Sequence, residues 1–468
     1  MASIESVVAN GICIGCGGCG TVTAGRIPIT MRPRGYYEAD LSAASSGDLE
    51  LASKVCPFSN DSKNEDEIGR DTFAQLPHDT RLGRYLSTFA GRLTDDQQLP
   101  SSSSGGLTTW IAKQLLSRGH IDGLIHVSNT ETPMFGYTVS HTEEEIIEGR
   151  KSKYHPASFA EALNSVRGNG KTYAMVGVPC AMRSARLIMG EDPVIAAQLK
   201  FLIGIVCGHL KSSAYAESFA WQLGIEPDDL ETVDFRIKDP ALTSRQYSFG
   251  AKRRSTGEWK ARQTLSLVGG SWGHAVFQLN ACNYCDDVFA EAADVVIGDA
   301  WLSKYEIDWR GTNVVVTRDA IIDEIFRDGL SAGEFTADYL DIDTTARTQD
   351  GNFRHRREGL SVRLADDERD GKWAPRKRVS PGYDHVSSER VELIRRRRRL
   401  SQVSHDAFAA AKEERDLKVY LDAVLPLINE YQSKTRMPFR IRLRNKVQRE
   451  VWKTLGRLRR VVKPRGSR

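Results

Sequence analysis

The sequence has no long hydrophobic run and no leader pattern. No apolar stretch approaches the ~18 residues that cross a bilayer, and FLIGIVC at 201–207 has instead the length of a buried strand. The first ten residues, MASIESVVAN, contain neither the basic nor the apolar region of a secretory signal peptide. We therefore expect a cytoplasmic chain whose cysteines stay reduced, which argues against a disulfide framework.

Length and charge suggest a large body with a separate tail. The 468 residues predict two to four domains with a substantial core. Residues 434–468 carry 14 Lys or Arg and one acid, so the chain totals of 65 and 61 leave 51 basic and 60 acidic residues in 1–433. A net charge of +4 thus combines a body of −9 with a tail of +13.

Eight cysteines fall into two sets of four. The first quartet reads C-I-G-C-G-G-C-G with a distant Cys-Pro, and its members are Cys13, Cys16, Cys19 and Cys56. Bacterial ferredoxins use this spacing to hold a cubane iron–sulfur cluster, because two-residue spacers direct three thiolates at three irons. The interleaved glycines permit the positive φ angles of such a loop. Structural zinc is the alternative, since C-x2-C pairs also bind zinc.

The second quartet is Cys180, Cys207, Cys282 and Cys285. Cys180 and Cys207 each follow an apolar run that predicts a strand, and open α/β sheets bind ligands at the carboxyl ends of their strands. Cys282 and Cys285 form a C-x2-C loop. A single buried cysteine is commonly just a small apolar residue, so neither Cys180 nor Cys207 is decisive alone. The count of four indicates a second cluster.

Helix and strand patterns alternate beyond residue 85. LTTWIAKQLL at 107–116 has apolar residues at helical spacing, IDGLIHV at 121–127 predicts a strand, and FAEALNSVR at 159–167 predicts another helix. The alternation predicts a mixed α/β (α+β) fold centred on a sheet. By contrast, we expect little regular structure in 1–60, and SNDSKNEDEIGRD at 59–71 is typical of a linker or exposed loop.

Two polar segments each have two interpretations. The serine run SSSSGG at 101–106 is either a flexible linker or, because it abuts a helix, a phosphate cradle at the positive helix end. Lys153 in KSKYHP is either a phosphate partner or a solvated surface charge. The residues alone leave both questions open.

Five ordered segments carry a family resemblance: SSSSGGLTTWIAKQLL, GRKSKY, VGVPCAMRSARL, GIVCGH and CNYCDDVFAEAADVVIGDAW. Together they resemble the beta subunits of coenzyme F420 hydrogenases and dehydrogenases. That family includes flavoprotein subunits of deazaflavin-reducing hydrogenase and formate dehydrogenase, and chlorophyll-pathway reductases. The resemblance runs from residue 10 to residue 310 and does not single out one member.

The resemblance implies an FAD-containing iron–sulfur oxidoreductase. The second quartet would hold a core 4Fe–4S cluster, and the first quartet the additional ferredoxin-like 4Fe–4S cluster of longer members. The residues that match flavin-bordering segments of relatives are Ser103, Ser104, Gly105, Gly106, Thr108, Ser152, Lys153, Tyr154, Val178 and Pro179.

The corresponding division of the chain has four parts. We expect an iron–sulfur lobe at 1–75, the amino-terminal part of a flavin-binding core at 80–165, its carboxyl-terminal part with the second cluster at 166–380, and a helical basic tail at 385–468.

The implied activity is electron transfer between the two clusters and a two-electron small molecule, because a flavin exchanges electrons singly or in pairs. That molecule is a deazaflavin or another compound, and many bacterial relatives occur among polysaccharide-synthesis proteins. The alternative is an electron-transfer subunit that serves a ferredoxin or a partner subunit; a zinc-stapled binding protein is the third hypothesis. We assign no acid or base, since a structural role is more common for the nearest candidates, His209, Asp286 and Asp299.

The tail has its own pattern. Residues 389–430 have a helical pattern, and 437–462 predicts a basic amphipathic helix. Such a helix suits an anionic membrane surface, here the inner face, or an acidic partner. The alternative is packing on the acidic body. We expect no nucleic-acid partner, because aromatic stacking residues are sparse there.

Overall fold

A computed structural model describes residues 3–435, so the predicted helix at 437–462 lies outside the described residues. Residues 3–84 form a small lobe of helices and short hairpins. Its elements are α1 (Ser3–Ala9), α2 (Gly18–Val22), β1 (Ile29–Arg32), β2 (Tyr36–Ala39), α3 (Ser46–Val55), α4 (Glu65–Thr72), β3 (His78–Asp79) and β4 (Gly83–Arg84).

The prediction of little regular structure in residues 1–60 is wrong, and α4 replaces the second half of the linker or exposed loop predicted at 59–71. Two capping boxes explain why. Ser45 begins α3 by accepting from the Asp48 N–H, while the Asp48 carboxylate accepts from the Ser45 N–H. Asn64 and Glu67 make the same exchange at the start of α4. Each box satisfies backbone donors that a short polar helix would otherwise leave free.

The remaining elements follow in chain order: β5 (Ser87–Leu93), α5 (Leu107–Ser117), β6 (Gly123–Asn129), β7 (Phe135–Ser140), α6 (Glu143–Glu148), α7 (Ala160–Val166), β8 (Tyr173–Gly177), α8 (Pro179–Glu191), α9 (Pro193–Gln198), β9 (Leu199–Ile205), α10 (Ala214–Gln222), β10 (Leu230–Ile237), β11 (Ser248–Arg253), β12 (Trp259–Gln263), β13 (Val295–Asp299), α11 (Ser303–Glu306), β14 (Asn313–Thr317), α12 (Ala320–Ser331), β15 (Phe335–Tyr339), α13 (Ile342–Arg347), α14 (Asp350–Phe353), α15 (Gly359–Arg369), α16 (Ser388–Glu414) and α17 (Leu417–Thr435). A π-helical turn, Arg354–Glu358, joins α14 to α15.

The centre is an eight-stranded mixed sheet in the order β15-β5-β14-β13-β9-β8-β6-β7. Strands β6, β8, β9 and β13 run parallel, and antiparallel strands complete both edges. The carboxyl ends of the parallel strands therefore meet at one edge, where a sheet of this kind binds ligands. The predicted mixed α/β fold is confirmed.

Helices cover both faces of the sheet, and the strand sequences show why. Val295 and Ile297 pack in the cluster with α5 and α12, whereas Val296, between them, packs with α7 and α8. Alternate residues of a strand point to opposite faces, so a fully apolar strand suits a sheet covered on both sides.

A second sheet, β10-β11-β12, is antiparallel and packs with α10 and the long helices α16 and α17. Because α16 and α17 together cover most of 389–430, the helical pattern predicted there is confirmed. Within residues 3–435, no helix is both long enough and apolar enough to cross a membrane.

Candidate cluster and cofactor sites

The second quartet gathers at the carboxyl edge of the parallel strands. Cys180 lies in the first turn of α8 directly after β8, and Cys207 follows β9 by two residues, as predicted. Cys282 and Cys285 belong to the short turn 280–285. Burial, followed by the neighbouring thiols of the other three members, raises the pKa of Cys180 well above its usual value. The four thiols therefore share one water-poor site.

An arginine that the sequence did not indicate lies in this site. Arg356, in the π-helical turn, is fully buried, and its Nη1 contacts the Sγ of Cys285. Its Nη2 donates to the carbonyl oxygens of Cys207 at 2.7 Å and Gly208 at 3.2 Å. Because 71 residues separate Arg356 from Cys285, no local spacing could have indicated the contact.

The first quartet surrounds a cavity in the amino-terminal lobe. Cys13, Cys16, Cys19 and Cys56 line this cavity together with apolar side chains. Burial raises the pKa of Cys13 to about 11, against the lowering effect of N–H donors such as Gly15, whose nitrogen lies 3.4 Å from the Sγ. Gly15 has a φ of +62°, and a Cβ there would lie 2.2 Å from the Cβ of Tyr37. The loop thus needs glycine to turn its thiols inward.

The two quartets adjoin each other. The Sγ of Cys16 lies 3.7 Å from the Oγ of Ser184, which is one turn beyond Cys180 on α8. Burial, then Cys180 and Cys16, raise the pKa of Tyr137, so this phenol lies near a member of each quartet. Members of both quartets also pack in one apolar cluster.

The donor sets suit iron–sulfur clusters. Each quartet has four buried or half-buried free cysteines, which is the ligand set of a 4Fe–4S cluster. Four cysteines are also the ligand set of a structural zinc ion. In residues 3–435, no three His, Cys, Asp or Glu side chains are grouped as a single-ion site.

Two of the predicted flavin-bordering segments meet. The backbone N–H and the hydroxyl of Ser152 lie 2.7 and 2.9 Å from the Oγ of Ser103. Ser104 donates to the carbonyl oxygen of Thr312 at 3.1 Å, which attaches the serine run to the approach to β14. The run is therefore a held turn rather than a free linker.

The serine run leads into α5 through two glycines. Gly106 precedes α5 with a φ of +87°, and Thr108 lies in the first helical turn. At Gly105 a Cβ would lie 2.7 Å from the carbonyl oxygen of Gly91. The positive φ of Gly106 and the close approach at Gly105 demand glycine in the turn, and the first N–H of α5, on Leu107, donates to the Oδ1 of Asn313 at 3.1 Å.

The other predicted flavin-bordering residues either follow Ser152 in the chain or lie beside the second quartet. Lys153 is half-buried and donates to the carbonyl oxygens of Gly149 and Arg150, and burial lowers its pKa to about 8. It is therefore not a solvated surface charge. Tyr154 packs edge-on against Trp272, with ring centroids 4.9 Å apart. Val178 and Pro179 form the start of α8, immediately before Cys180.

Two basic residues, one in β10 and one directly after it, extend this region and have no signal in the sequence. Lys238 donates to the carbonyl oxygens of Leu99, Ser104 and Arg310 at 2.9, 2.8 and 2.6 Å. Arg236 pairs with Asp299, at the carboxyl end of β13, with an N–O distance of 2.8 Å. Both residues belong to a part of the chain that is remote in sequence from the serine run, so only tertiary structure brings them there.

The three nearest acid–base candidates all have structural partners. Asp286 is buried between Lys377 at 2.7 Å and Arg378 at 3.3 Å, and these cations hold its pKa far below the usual value against burial. His209 packs against Trp272 with ring centroids 4.5 Å apart, and burial keeps its pKa well below normal. Asp299 is engaged by Arg236.

Comparison with known proteins identifies the family. Two family models match the chain, and both describe the beta subunit of coenzyme F420 hydrogenase/dehydrogenase. The model of its amino-terminal part matches residues 88–164, and the model of its carboxyl-terminal part matches residues 170–342. The chain belongs to this family. The predicted resemblance is thus confirmed, and the matched ranges contain the second quartet and all ten predicted flavin-bordering residues.

Curated relatives of the family are similar over most of the core. The chain is 22% identical to one subunit of the F(420)H(2) dehydrogenase of Methanosarcina mazei, over 64% of this chain and 81% of that protein. It is 26% identical to the beta subunit of the coenzyme F420 hydrogenase of Methanosarcina barkeri, over 55% and 83%. The coenzyme F420-dependent sulfite reductase of Methanocaldococcus jannaschii is 24% identical over 63% of this chain and 43% of that protein.

One solved structure is also similar. It is the F420-reducing [NiFe] hydrogenase complex of Methanosarcina barkeri, one chain of which matches with 18% identity and a TM-score of 0.49, over 65% of this chain and 99% of that chain.

Proposed function

We propose that this protein is an FAD-dependent iron–sulfur oxidoreductase that passes electrons between two 4Fe–4S clusters and a two-electron small molecule. The observation that carries the proposal is the adjacency of two complete cysteine quartets, joined through Cys16 and Ser184. Three curated relatives are named for reactions of coenzyme F420 or its reduced form. A deazaflavin is therefore the substrate class to test first.

When bound, the flavin supplies two-electron chemistry, and the clusters supply one-electron exchange. The chain's own residues would bind and orient the flavin and would exclude water from it. The Ser103–Ser152 contact and the turn at Gly105 and Gly106 would shape the cofactor cradle. Lys238, which donates to three backbone carbonyl oxygens, would hold that cradle in place. The two quartets would fix the clusters close to each other in a buried region.

A second candidate function is an electron-transfer subunit that serves a partner and has no substrate of its own. It is favoured by the names of two relatives, each of which is a subunit of a dehydrogenase or a hydrogenase. The partner would be a larger enzyme subunit or a ferredoxin. The two functions differ in whether the isolated protein reduces or oxidises a deazaflavin.

Anaerobic purification with iron, sulfide and flavin assays tests the proposal. We expect a brown protein with about eight irons and one FAD per chain. Cys19→Ser and Cys207→Ser, one from each quartet, should each leave about four irons. A colourless protein that binds zinc and no flavin would contradict the proposal. Turnover with a deazaflavin would favour the enzyme, and a reducible protein inert to every small acceptor would favour the electron-transfer role.

Two wider settings belong to the same proposal. The first is a cytoplasmic enzyme that contacts the membrane surface through residues 434–468. In that case the protein should float with liposomes and should lose this flotation when these residues are deleted. Unchanged partitioning would contradict the membrane contact. A role in bacterial polysaccharide biosynthesis predicts a defect in surface polysaccharide when the gene is removed.

A further inference from the structure

Buried positive charge surrounds the second quartet. Arg356 has side-chain nitrogens on the Sγ of Cys285 and on the carbonyl oxygens of Cys207 and Asp287. Two further basic residues lie close by. The Nη2 of Arg397 is 3.5 Å from the Nδ1 of His209, two residues after Cys207, and Lys211 follows Leu210, whose N–H donates to the Sγ of Cys282 at 3.1 Å. Three basic residues from separate parts of the chain therefore lie around the second quartet.

These cations have few carboxylate partners. Arg397 lies 3.5 Å from the carbonyl oxygen of Trp272 and from the Nδ1 of His209, and its Nε has no hydrogen-bond partner among the described residues. Lys211 donates to the carbonyl oxygen of Val276 and lies 4.4 Å from the ring centroid of Tyr215. A buried arginine without a carboxylate, such as Arg356, needs another source of negative charge, and four thiolates of a cluster would supply it.

The carboxylates nearby are engaged by other groups. Asp286 is paired with Lys377 and Arg378. The carboxylate of Asp287 accepts from the N–H of Glu291 at 3.0 Å, and Arg356 contacts only the main-chain oxygen of Asp287. Among the described residues, the side-chain partners of Arg356 are therefore the Sγ of Cys285 and backbone carbonyl oxygens, with no carboxylate.

The first quartet has a different environment. Arg183, on α8, is paired with Glu65 at 3.2 Å and donates to the carbonyl oxygen of Lys63 at 3.1 Å, so a carboxylate already balances its charge. Backbone N–H groups such as that of Gly15 provide the favourable contacts. These are dipoles, whereas the second quartet has full charges.

We infer that Arg356, assisted by Arg397, raises the reduction potential of the cluster held by the second quartet. This inference rests on the proposed function. One-electron reduction adds one negative charge to a cluster, and a permanent cation in a water-poor site stabilises the reduced form more than the oxidised form. Arg356 is then a positioning and charge-setting residue that acts through Cys285 and Cys207. The matched family range ends at residue 342, so Arg356 and Arg397 lie beyond it.

The test is a redox titration followed by electron paramagnetic resonance, on protein purified anaerobically. A Cys19→Ser background removes the first cluster and so identifies the signal of the second. In that background Arg356→Met should lower the midpoint potential, whereas Arg356→Lys, which keeps the charge, should retain most of it. Arg395→Gln is the matched control, because Arg395 is a half-exposed arginine paired with Asp366 at 2.6 Å. It should leave the midpoint unchanged.

Iron content separates this inference from the proposed function. If the wild-type chain holds eight irons, either of two results would overturn the inference and leave the proposed function standing. One is an unchanged midpoint potential in Arg356→Met, and the other is an equal fall in midpoint potential in the Met and Lys variants. A wild-type chain without iron would overturn both. If Arg356→Met loses its cluster, Arg397→Gln decides: a lowered midpoint supports the inference, and an unchanged one overturns it.

Discussion

The Sγ of Cys16 lies 3.7 Å from the Oγ of Ser184. Ser184 also donates to the carbonyl oxygen of Val55, immediately before Cys56, at 3.0 Å. One hydroxyl on α8 therefore contacts two parts of the first quartet's loop. Since α8 begins at Pro179 and includes Cys180, this contact links the helix that carries one member of the second quartet to the residues that carry the first quartet.

Gly18 makes the contact possible, and its substitution should be destabilising. A Cβ at Gly18 would lie 2.1 Å from the Oγ of Ser184. Gly18→Ala should lower the free energy of unfolding by about 1–3 kcal/mol because of overpacking. Ser184→Ala alone should cost about 1 kcal/mol for the lost hydrogen bond to Val55. The double variant should cost less than the sum, because removal of the hydroxyl leaves room for the new methyl group. Urea unfolding under anaerobic conditions measures all three, and strictly additive effects would contradict this packing.

Ser103 should influence flavin affinity. Ser103→Ala removes the acceptor of the Ser152 N–H and should loosen the turn, weakening FAD binding about tenfold, which corresponds to about 1.4 kcal/mol. Ser101→Ala is the control, because the Ser101 hydroxyl bonds within its own turn, to Gln98. Titration of the flavin-free protein with FAD, followed by flavin fluorescence, measures both. Equal affinities in the two variants would contradict a role for the Ser103–Ser152 contact.

Stability should fall in weak acid, partly because of His126. Burial, followed by the charge of Lys153, lowers the pKa of His126 to about 4, and its Nε2 lies 2.7 Å from the Oγ of Ser140. Because the unfolded chain has a histidine pKa near 6.5, the unfolded state binds more protons between pH 6.5 and 4. The contribution of His126 is therefore present above pH 6.5 and is lost as the pH falls toward 4.

The loss attributable to His126 should reach about 2 kcal/mol at pH 5. Urea unfolding at pH 7.5 and pH 5 measures it, and His126→Gln should reduce the difference between the two pH values by that amount. His120→Gln, at a partly exposed position, should leave the difference unchanged. If His126→Gln and wild type lose equal stability on acidification, the buried neutral imidazole is not responsible.

Much of the core could be predicted from local sequence. The apolar runs before Cys180 and Cys207 are the strands β8 and β9, because fully buried strands leave a continuous apolar pattern. The helices of the amino-terminal lobe are not predicted, although Ser45-x-x-Asp48 and Asn64-x-x-Glu67 are both capping signals. Their helices are short and polar, so periodicity alone does not reveal them. The division into domains and the roles of the predicted flavin-bordering residues stay predictions.

The sequence by itself determined which residues have metal-ligating chemistry and how they are spaced, because cysteine spacing and strand patterns are local properties. It also determined the family, through segments such as GIVCGH and CNYC. Tertiary structure alone decided that the quartets adjoin through Cys16 and Ser184, and that Arg356 contacts Cys285 across 71 residues. The physical reason is that a charge or a thiol has its effect through neighbours in space, and only the packing of distant elements selects those neighbours.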